Sequence, residues 1–409
     1  MTNLTFLVNA YICVDSFIRL IVKLIHLTLF LVSSVSLYGD DSNGLAPEIT
    51  DLNAADISLD LERKIPYLKK AFISTKPKDR KDGIAVGELG VDSGDKNKIL
   101  KFSDEILDDK HGNTDSFLIY HKGKLLFESY YKRGRINFPH YQMSITKSYT
   151  ALALGRAMQK GYLSMDDLNK PVVSFLKEID PTNLVAGAKG VTLHEAMHMR
   201  SGIRVDDKKA KDVRKTPQRL IGQGQIQTYM EISHPIDNQN KTFKYQGSDP
   251  SITMQTIEAV VPGTAKDFLK NDFLKKMGIT NYGWQEDTSK LPKSAAGSSL
   301  RSRDMLKMGM LILQKGKWKG EQLVPAEFIE KATGPIDVNK NRTYGYFWWG
   351  HDAKVGEQTY HCISGRGAGG QFIMIYEELD LIIVVTSHNK GMGKMLSEAP
   401  RRIIPAFLP

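Results

Sequence analysis

Cysteine is almost absent: Cys13 and Cys362 are the two in 409 residues. Cys13 falls in the N-terminal apolar stretch. A chain that sheds that stretch keeps one thiol, which excludes an internal disulfide framework. Cys362 stands in an apolar, strand-like segment and reads as a buried structural thiol. An acidic excess is also lacking, since 56 Lys and Arg face 46 Asp and Glu for a formal charge of +10. The basic runs Lys76-Pro77-Lys78-Asp79-Arg80-Lys81 and Lys208-Lys209-Ala210-Lys211 lie among aspartates and without interleaved aromatics. They read as solvated loops, and no nucleic-acid partner is expected. Internal repeats and low-complexity tracts are missing as well.

The N-terminal apolar run, Leu24 to Leu37, is shorter than the roughly 20 residues of a bilayer span. Arg19 and Lys23 precede it, and Ser34 and Ser36 close it, which is the layout of an export signal. Stretched back to Ile18, with Lys23 snorkelling, the same run would serve as an uncleaved membrane anchor. The expectation is a signal peptide or membrane anchor over 1–39, a polar tether over 40–56, and an exported protein, periplasmic or secreted, or held at the membrane if the N-terminal segment is kept as an anchor.

The remainder, 57–409, has an ordinary globular balance, 41% hydrophobic and 25% charged over the whole chain. Residues 57–73 show the periodicity of an amphipathic helix. A hairpin is expected over 116–131, turning at His121-Lys122-Gly123-Lys124. A helix should run from Ser144 to about Lys160 and stop at Gly161. Helical pieces and loops fill 162–294. From 343 the pattern turns to strands, over 344–349, 359–363, 371–376 and 381–386, before a closing helix over about 391–407. Strands at both ends and helices between them imply an α/β (α+β) fold. One antiparallel sheet is built from 57–140 and 295–409, flanked by N- and C-terminal helices, with a mostly helical subdomain, 141–294, inserted.

Ser144 opens that helix in Ser144-Ile145-Thr146-Lys147. At this spacing serine and lysine share one helical face, one turn apart. A hydroxyl is a poor nucleophile until a neighbour takes its proton, and a lysine amine at contact distance can do so. The spacing recurs elsewhere, for example at Ser93/Lys96, Ser174/Lys177 and Ser387/Lys390, so context must choose. Ser144 stands at a strand-to-helix passage, where helix N–H groups face incoming negative charge. The seam between sheet and helical insert is also where clefts preferentially form.

His194-Glu195-Ala196-Met197-His198 competes as H-E-x-x-H, a helical zinc motif with a general-base glutamate. A third ligand is wanting: Ser201 and Arg204 hold the glycine and histidine places of the extended motif, and Glu231 is distant. Thr192-Leu193-His194-Glu195 also reads as a capping box, which gives Glu195 a structural task. The motif is expected to be a packing helix, and no metal or other cofactor is expected.

Several segments, in order, resemble the penicillin-recognising serine hydrolases of the branch around class C β-lactamases. His140-Tyr141-Gln142-Met143-Ser144-Ile145-Thr146-Lys147-Ser148 resembles the nucleophile segment. Val191 to Ile203 resembles a helix ending in a Ser-Gly turn. Phe243-Lys244-Tyr245-Gln246-Gly247-Ser248 falls where the family has a tyrosine motif. Gly278 to Trp284, Ser302-Arg303-Asp304-Met305 and Gly316-Lys317-Trp318 resemble further stretches. Gly365-Arg366-Gly367-Ala368-Gly369-Gly370-Gln371 falls where a Lys-Thr-Gly motif or its replacement belongs, at the expected opening of a strand.

The resemblance implies a β-lactamase/transpeptidase-like fold and an acyl-enzyme on Ser144, with Lys147 and Tyr245 as proton-transfer partners. It also implies an oxyanion hole from the Ser144 N–H and the strand at Gly367-Ala368. Two departures narrow the expectation. Gly247 stands where Asn or Ser is usual, and the third motif lacks its lysine, leaving Arg366 as the one candidate to hold a substrate carboxylate. The expected substrate is a carboxylic ester or small amide, as for family esterases and 6-aminohexanoate-dimer hydrolase. The alternatives are a β-lactamase or D-Ala-D-Ala carboxypeptidase, a non-catalytic binding or sensor protein of the same fold, and, remotely, a zinc peptidase.

Overall fold

The computed structural model describes residues 46–50, 52, 57–334, 336–339 and 341–408. The expected leader lies outside the described residues, and so does most of the tether. Among the described residues no helix is long and apolar enough to cross a membrane.

The periodicity over 57–73 yields only a short helix, α1 (Leu59–Lys64). Ser58 caps it, its Oγ accepting from the Leu61 N–H at 3.1 Å. Pro66 ends it, because the residue before a proline is pushed out of the helical region, and Ile65 is extended with ψ 121°. The chain then runs into strand β1 (Phe72–Ser74), helix α2 (Lys96–Leu107) and the hairpin β2 (Thr114–His121) and β3 (Lys124–Tyr130).

After a short strand β4 (His140–Tyr141) comes α3 (Ile145–Gln159), which ends before Gly161 at φ +79°. Further helices follow, among them the short α4 (Leu193–Met197) and α5 (Ser248–Val260). Strands β5 (Gly283–Trp284) and β6 (Ser298–Leu300) pair with β4 in a small sheet of order β4-β6-β5. Helix α6 (Ser302–Leu313) and the pair β7 (Lys317–Trp318) and β8 (Glu321–Gln322) lead back to the main sheet.

Its remaining strands are β9 (Asp337–Asn339), β10 (Arg342–Tyr344), β11 (Trp349–Val355), β12 (Gln358–Gly367), β13 (Gln371–Tyr376) and β14 (Leu381–Ser387), followed by helix α7 (Met395–Ile403). Among the described residues its nine strands are ordered β1-β3-β2-β14-β13-β12-β11-β10-β9, each neighbour antiparallel. Hence β14, from the end of the chain, lies beside β2, from its beginning.

Both faces of this sheet are covered. In β2, Leu118 and Tyr120 join a core with α3 and α6, while Phe117 and Ile119 join a second core with α2 and α7. Alternate residues therefore enter different cores, and the central strands read as continuous apolar runs instead of alternating ones. Arg303 of α6 crosses from helix to sheet, donating to Glu128 at 2.9 Å and to Asp82 at 2.7 Å. Cys362 is a buried free thiol whose pKa burial raises to about 11.

Three expectations need correction in the later strands. The strand expected over 344–349 is the bend between β10 and β11. The one expected over 359–363 extends to Gly367. The glycine-rich segment closes β12, turns at 368–370 and only then opens β13. Glycine weakened the strand signal there, whereas the ladder continues through Gly365↔Ile373 and Gly367↔Gln371.

Candidate active site

Strand β4 and helix α3 meet at a sharp bend. Met143 takes φ +49°, the left-handed region a side chain rarely adopts, and Ser144 follows as the first residue of the passage into α3. The bend is tied down on both sides. The Gln142 N–H donates to the Ser298 carbonyl at 2.8 Å, and Tyr149 of α3 donates its hydroxyl to Gln142 Oε1 at 3.0 Å. Thr146 Oγ1 donates to the Met143 carbonyl at 2.7 Å. Ser144 is half-buried at the end of this frame.

One helical turn on, Lys147 Nζ donates to Ser144 Oγ at 3.1 Å and to the Ala295 carbonyl at 2.7 Å. The side chain is buried, and no carboxylate pairs with it among the described residues. Burial without a counter-charge disfavours the ammonium form and lowers its pKa to about 8. The Tyr245 ring stands over this amine, Nζ lying 4.6 Å from its centroid. Burial of the phenol end raises the Tyr245 pKa, and hydrogen bonding with Ser144 opposes that rise. The ring is nonetheless 41% exposed, so it lines an open site. Ser144, Lys147 and Tyr245, expected to work together, are thus adjacent in space.

The end of β12 passes close to this bend. A Cβ at Gly367 would stand 2.2 Å from the Gln142 carbonyl oxygen, and one at Gly365 would meet Ile145 at 3.3 Å. Both glycines let the strand cross the N-terminus of α3 at backbone distance. Ala368, in the turn just beyond, is exposed. Among the described residues no hydrogen bond to a protein acceptor runs from the Ser144 or the Ala368 N–H.

The sequence profile of the beta-lactamase family matches residues 101–406. The chain belongs to that family. With it comes membership of the serine hydrolases of this fold. No curated protein matches the chain by sequence. Among solved structures, a Bacillus anthracis protein assigned as a 6-aminohexanoate-dimer hydrolase superposes with a TM-score of 0.58 at 19% identity, over 80% of this chain and 88% of that one. A class C beta-lactamase gives 0.59 at 13% identity, over 77% and 96%. A D-stereospecific amidohydrolase from a Streptomyces species gives 0.51 at 15%, over 73% and 95%. At such identities these likenesses speak for the fold.

Against the family's third motif, this chain has a gap in charge. Gly365 faces α3 and carries no side chain. Arg366, one step along the strand, points to the other face of the sheet. Its guanidinium donates to Ser364 Oγ at 2.8 Å, lies 2.7 Å from His351 Nδ1, and packs over Trp349 at 5.3 Å. Burial lowers its pKa to about 10. Trp349 in turn stacks on Tyr245, ring centroids 5.6 Å apart, with Tyr344 edge-on at 4.6 Å. Sequence reasoning missed this aromatic wall, because the run from Tyr344 to Trp349 looked like one strand. It also missed the Ala295 carbonyl, a backbone group with no sequence signature.

The H-E-x-x-H segment holds its residues in structural roles. Thr192 Oγ1 accepts from the Glu195 N–H at 3.2 Å, and Glu195 Oε2 accepts from the Thr192 N–H at 3.1 Å, completing the capping box. Glu195 Oε1 also pairs with Lys241 at 2.6 Å. His194 bonds the Tyr346 hydroxyl at 2.8 Å, and His198 bonds the His194 carbonyl at 2.9 Å. Burial depresses the His198 pKa to about 4. Among the described residues, the cluster with metal-ligating groups close together is elsewhere: Glu62, Asp115 and His140. Within the protein, His140 Nδ1 lies 3.1 Å from Glu62 and Asp115 lies 2.8 Å from His388, while the buried His140 Nε2 has no hydrogen-bond partner among the described residues.

Proposed function

We propose that this chain cleaves a carboxylic ester or small amide through an acyl-enzyme on Ser144. The observation that carries the reading is the buried, uncompensated Lys147 amine 3.1 Å from Ser144 Oγ. A lysine with a pKa near 8 is neutral part of the time at neutral pH and can accept the serine proton as Oγ attacks the carbonyl carbon. The oxyanion that forms is held by the Ser144 N–H and, from the turn after β12, the Ala368 N–H. As the tetrahedral adduct collapses, Tyr245 passes the proton from Lys147 to the departing alcohol or amine. Water, deprotonated by the same pair, then adds to the acyl carbon and releases the acid and free Ser144.

The missing cation beside Ser144 favours an ester or amide over a β-lactam. No lysine stands at Gly365, and the Arg366 guanidinium is engaged by Ser364, His351 and Trp349, which leaves it less free to hold a substrate carboxylate than a lysine beside Ser144 would be.

A fluorophosphonate probe followed by mass mapping tests the reading. The expected adduct is on Ser144, is absent in Ser144→Ala, and forms at least about a hundredfold more slowly in Lys147→Ala. Chelator leaves the rate unchanged. An unmodified Ser144 in folded protein, with a hydrolytic activity that chelator removes, would sink the proposal in favour of the zinc alternative.

A further inference from the structure

Tyr245 belongs to no helix or strand; residues 243–247 form an irregular segment before α5. Its position must therefore come from tertiary anchors. Besides the ring's packing against Trp349 and Tyr344, hydrogen bonds of the flanking residues hold it on each side. Before it, the Lys244 N–H donates to the Met199 carbonyl at 2.8 Å. After it, Gln246 Nε2 donates to Asp249 Oδ1 at 2.6 Å. Both anchors end on the turn that follows α4, because Asp249 is itself bonded to that turn. Its Oδ1 accepts from Ser201 Oγ at 2.8 Å and its Oδ2 from the Ser201 N–H at 3.3 Å. Ser248 Oγ adds a further bond to Oδ1 at 2.9 Å.

We propose that Asp249 is a positioning residue whose carboxylate clamps the Tyr245 loop to the Ser201-Gly202 turn, and so sets where the phenol stands over Lys147 and Ser144. The inference rests on the reading of Ser144, Lys147 and Tyr245 given under Proposed function.

Asp249 is wholly buried, and no cation forms an ion pair with it among the described residues. Its donors are neutral N–H and O–H groups. The charged and titratable groups that feel its charge are Arg204, just past the turn, and the phenol of Tyr344 on β10, which also couples to Tyr245. A carboxylate that accepts four hydrogen bonds is an acceptor only while ionised. Burial raises its pKa to about 6, against the pull of Gln246, Ser201 and Ser248. Protonation below that value puts a donor among donors and loosens the clamp. The same residue without a role in positioning would leave the pH dependence of Ser144 chemistry to Lys147 alone.

The test is the rate of fluorophosphonate modification of Ser144 against pH, in wild type, Asp249→Asn and Gln246→Ala, with the Tm of each. In wild type the rate should fall about tenfold per pH unit from 8 to 6, as Lys147 gains its proton, and more steeply below 6. In Asp249→Asn the amide nitrogen stands permanently among donors, as the protonated carboxyl does, so modification should be slower than wild type across the range and the steepening below pH 6 should vanish, while the limb near 8 keeps its midpoint. Gln246→Ala removes one anchor and should slow modification at pH 7 by roughly tenfold with little change in Tm, since small misplacements of a reacting group are costly.

Coincident pH profiles for wild type and Asp249→Asn, or Gln246→Ala at the wild-type rate, overturn the proposal while Ser144 remains the nucleophile. Should Asp249→Asn fail to fold, Gln246→Ala decides alone. A folded wild type that is never modified at Ser144 overturns the parent reading, and this one with it.

Discussion

Lys147 is the residue on which the proposed chemistry turns, and the effect of its burial can be measured. Its pKa falls from 10.5 to about 8 because the folded protein removes water from the ammonium without supplying a carboxylate. A base whose folded pKa is depressed costs stability wherever it is charged. That cost is full below pH 8 and disappears as pH rises toward 10.5, where the unfolded lysine is also neutral. The shift corresponds to about 3 kcal/mol, partly offset by the bonds to Ser144 and the Ala295 carbonyl. Lys147→Met is therefore expected to be inactive yet about 1–2 kcal/mol more stable at pH 7, with the gain shrinking at pH 10, as read by urea unfolding. The Ser-Lys spacing was legible in the sequence. The absence of a counter-ion was not, because it depends on what the segment around Ala295 brings to the site. Ser129 and Lys132 share the spacing too, but Ser129 lies on strand β3, where three residues do not make one turn.

Among elements, the end of β12 shows how glycine can mislead. In the sequence Gly365-Arg366-Gly367 looked like the approach to a strand. In the structure it is the last part of one, and its glycines serve close packing against the bend at Ser144 instead of a turn. Gly367→Ala places a methyl group 2.2 Å from the Gln142 oxygen, which neither backbone can accommodate without moving. The expected result is a ten- to roughly hundredfold slower modification of Ser144, because both the bend and the Ala368 N–H are displaced. A drop in Tm should accompany it. Wild-type rates in this variant would show that the turn after β12 takes no part in the site. The first helix misled in another way: the apolar spacing continues past Lys64, but Pro66 overrides it.

For the whole molecule, the N-terminal arm matters. Glu62, on α1, receives the Tyr141 N–H at 2.8 Å and lies 3.1 Å from His140 Nδ1, both in the strand that leads to Ser144. Burial alone would lower the His140 pKa, but the hydrogen bond and charge of Glu62, with Asp115 behind, raise it overall. A histidine raised in the folded state contributes stability that is complete below about pH 6.5 and lost as pH climbs through the folded-state value. Glu62→Gln should thus cost roughly 3 kcal/mol at pH 5.5 and less at pH 8, measured by chemical denaturation at both values. A loss that does not vary with pH would mean that Glu62 acts through Tyr141 alone.

The sequence by itself determined the class of fold, the helix that begins at Ser144, the hairpin before it, and the capping box that gives Glu195 its structural place. Each depends on local periodicity, capping or turn chemistry, which a few neighbouring residues encode. The tertiary structure decided the rest. It brought Ala295 and Tyr245 to Lys147, turned Arg366 to the far face of the sheet, and anchored the Tyr245 loop on Asp249. Those arrangements depend on contacts between residues about 50 to 150 positions apart, and on which face of a strand the register exposes. No local pattern carries that information.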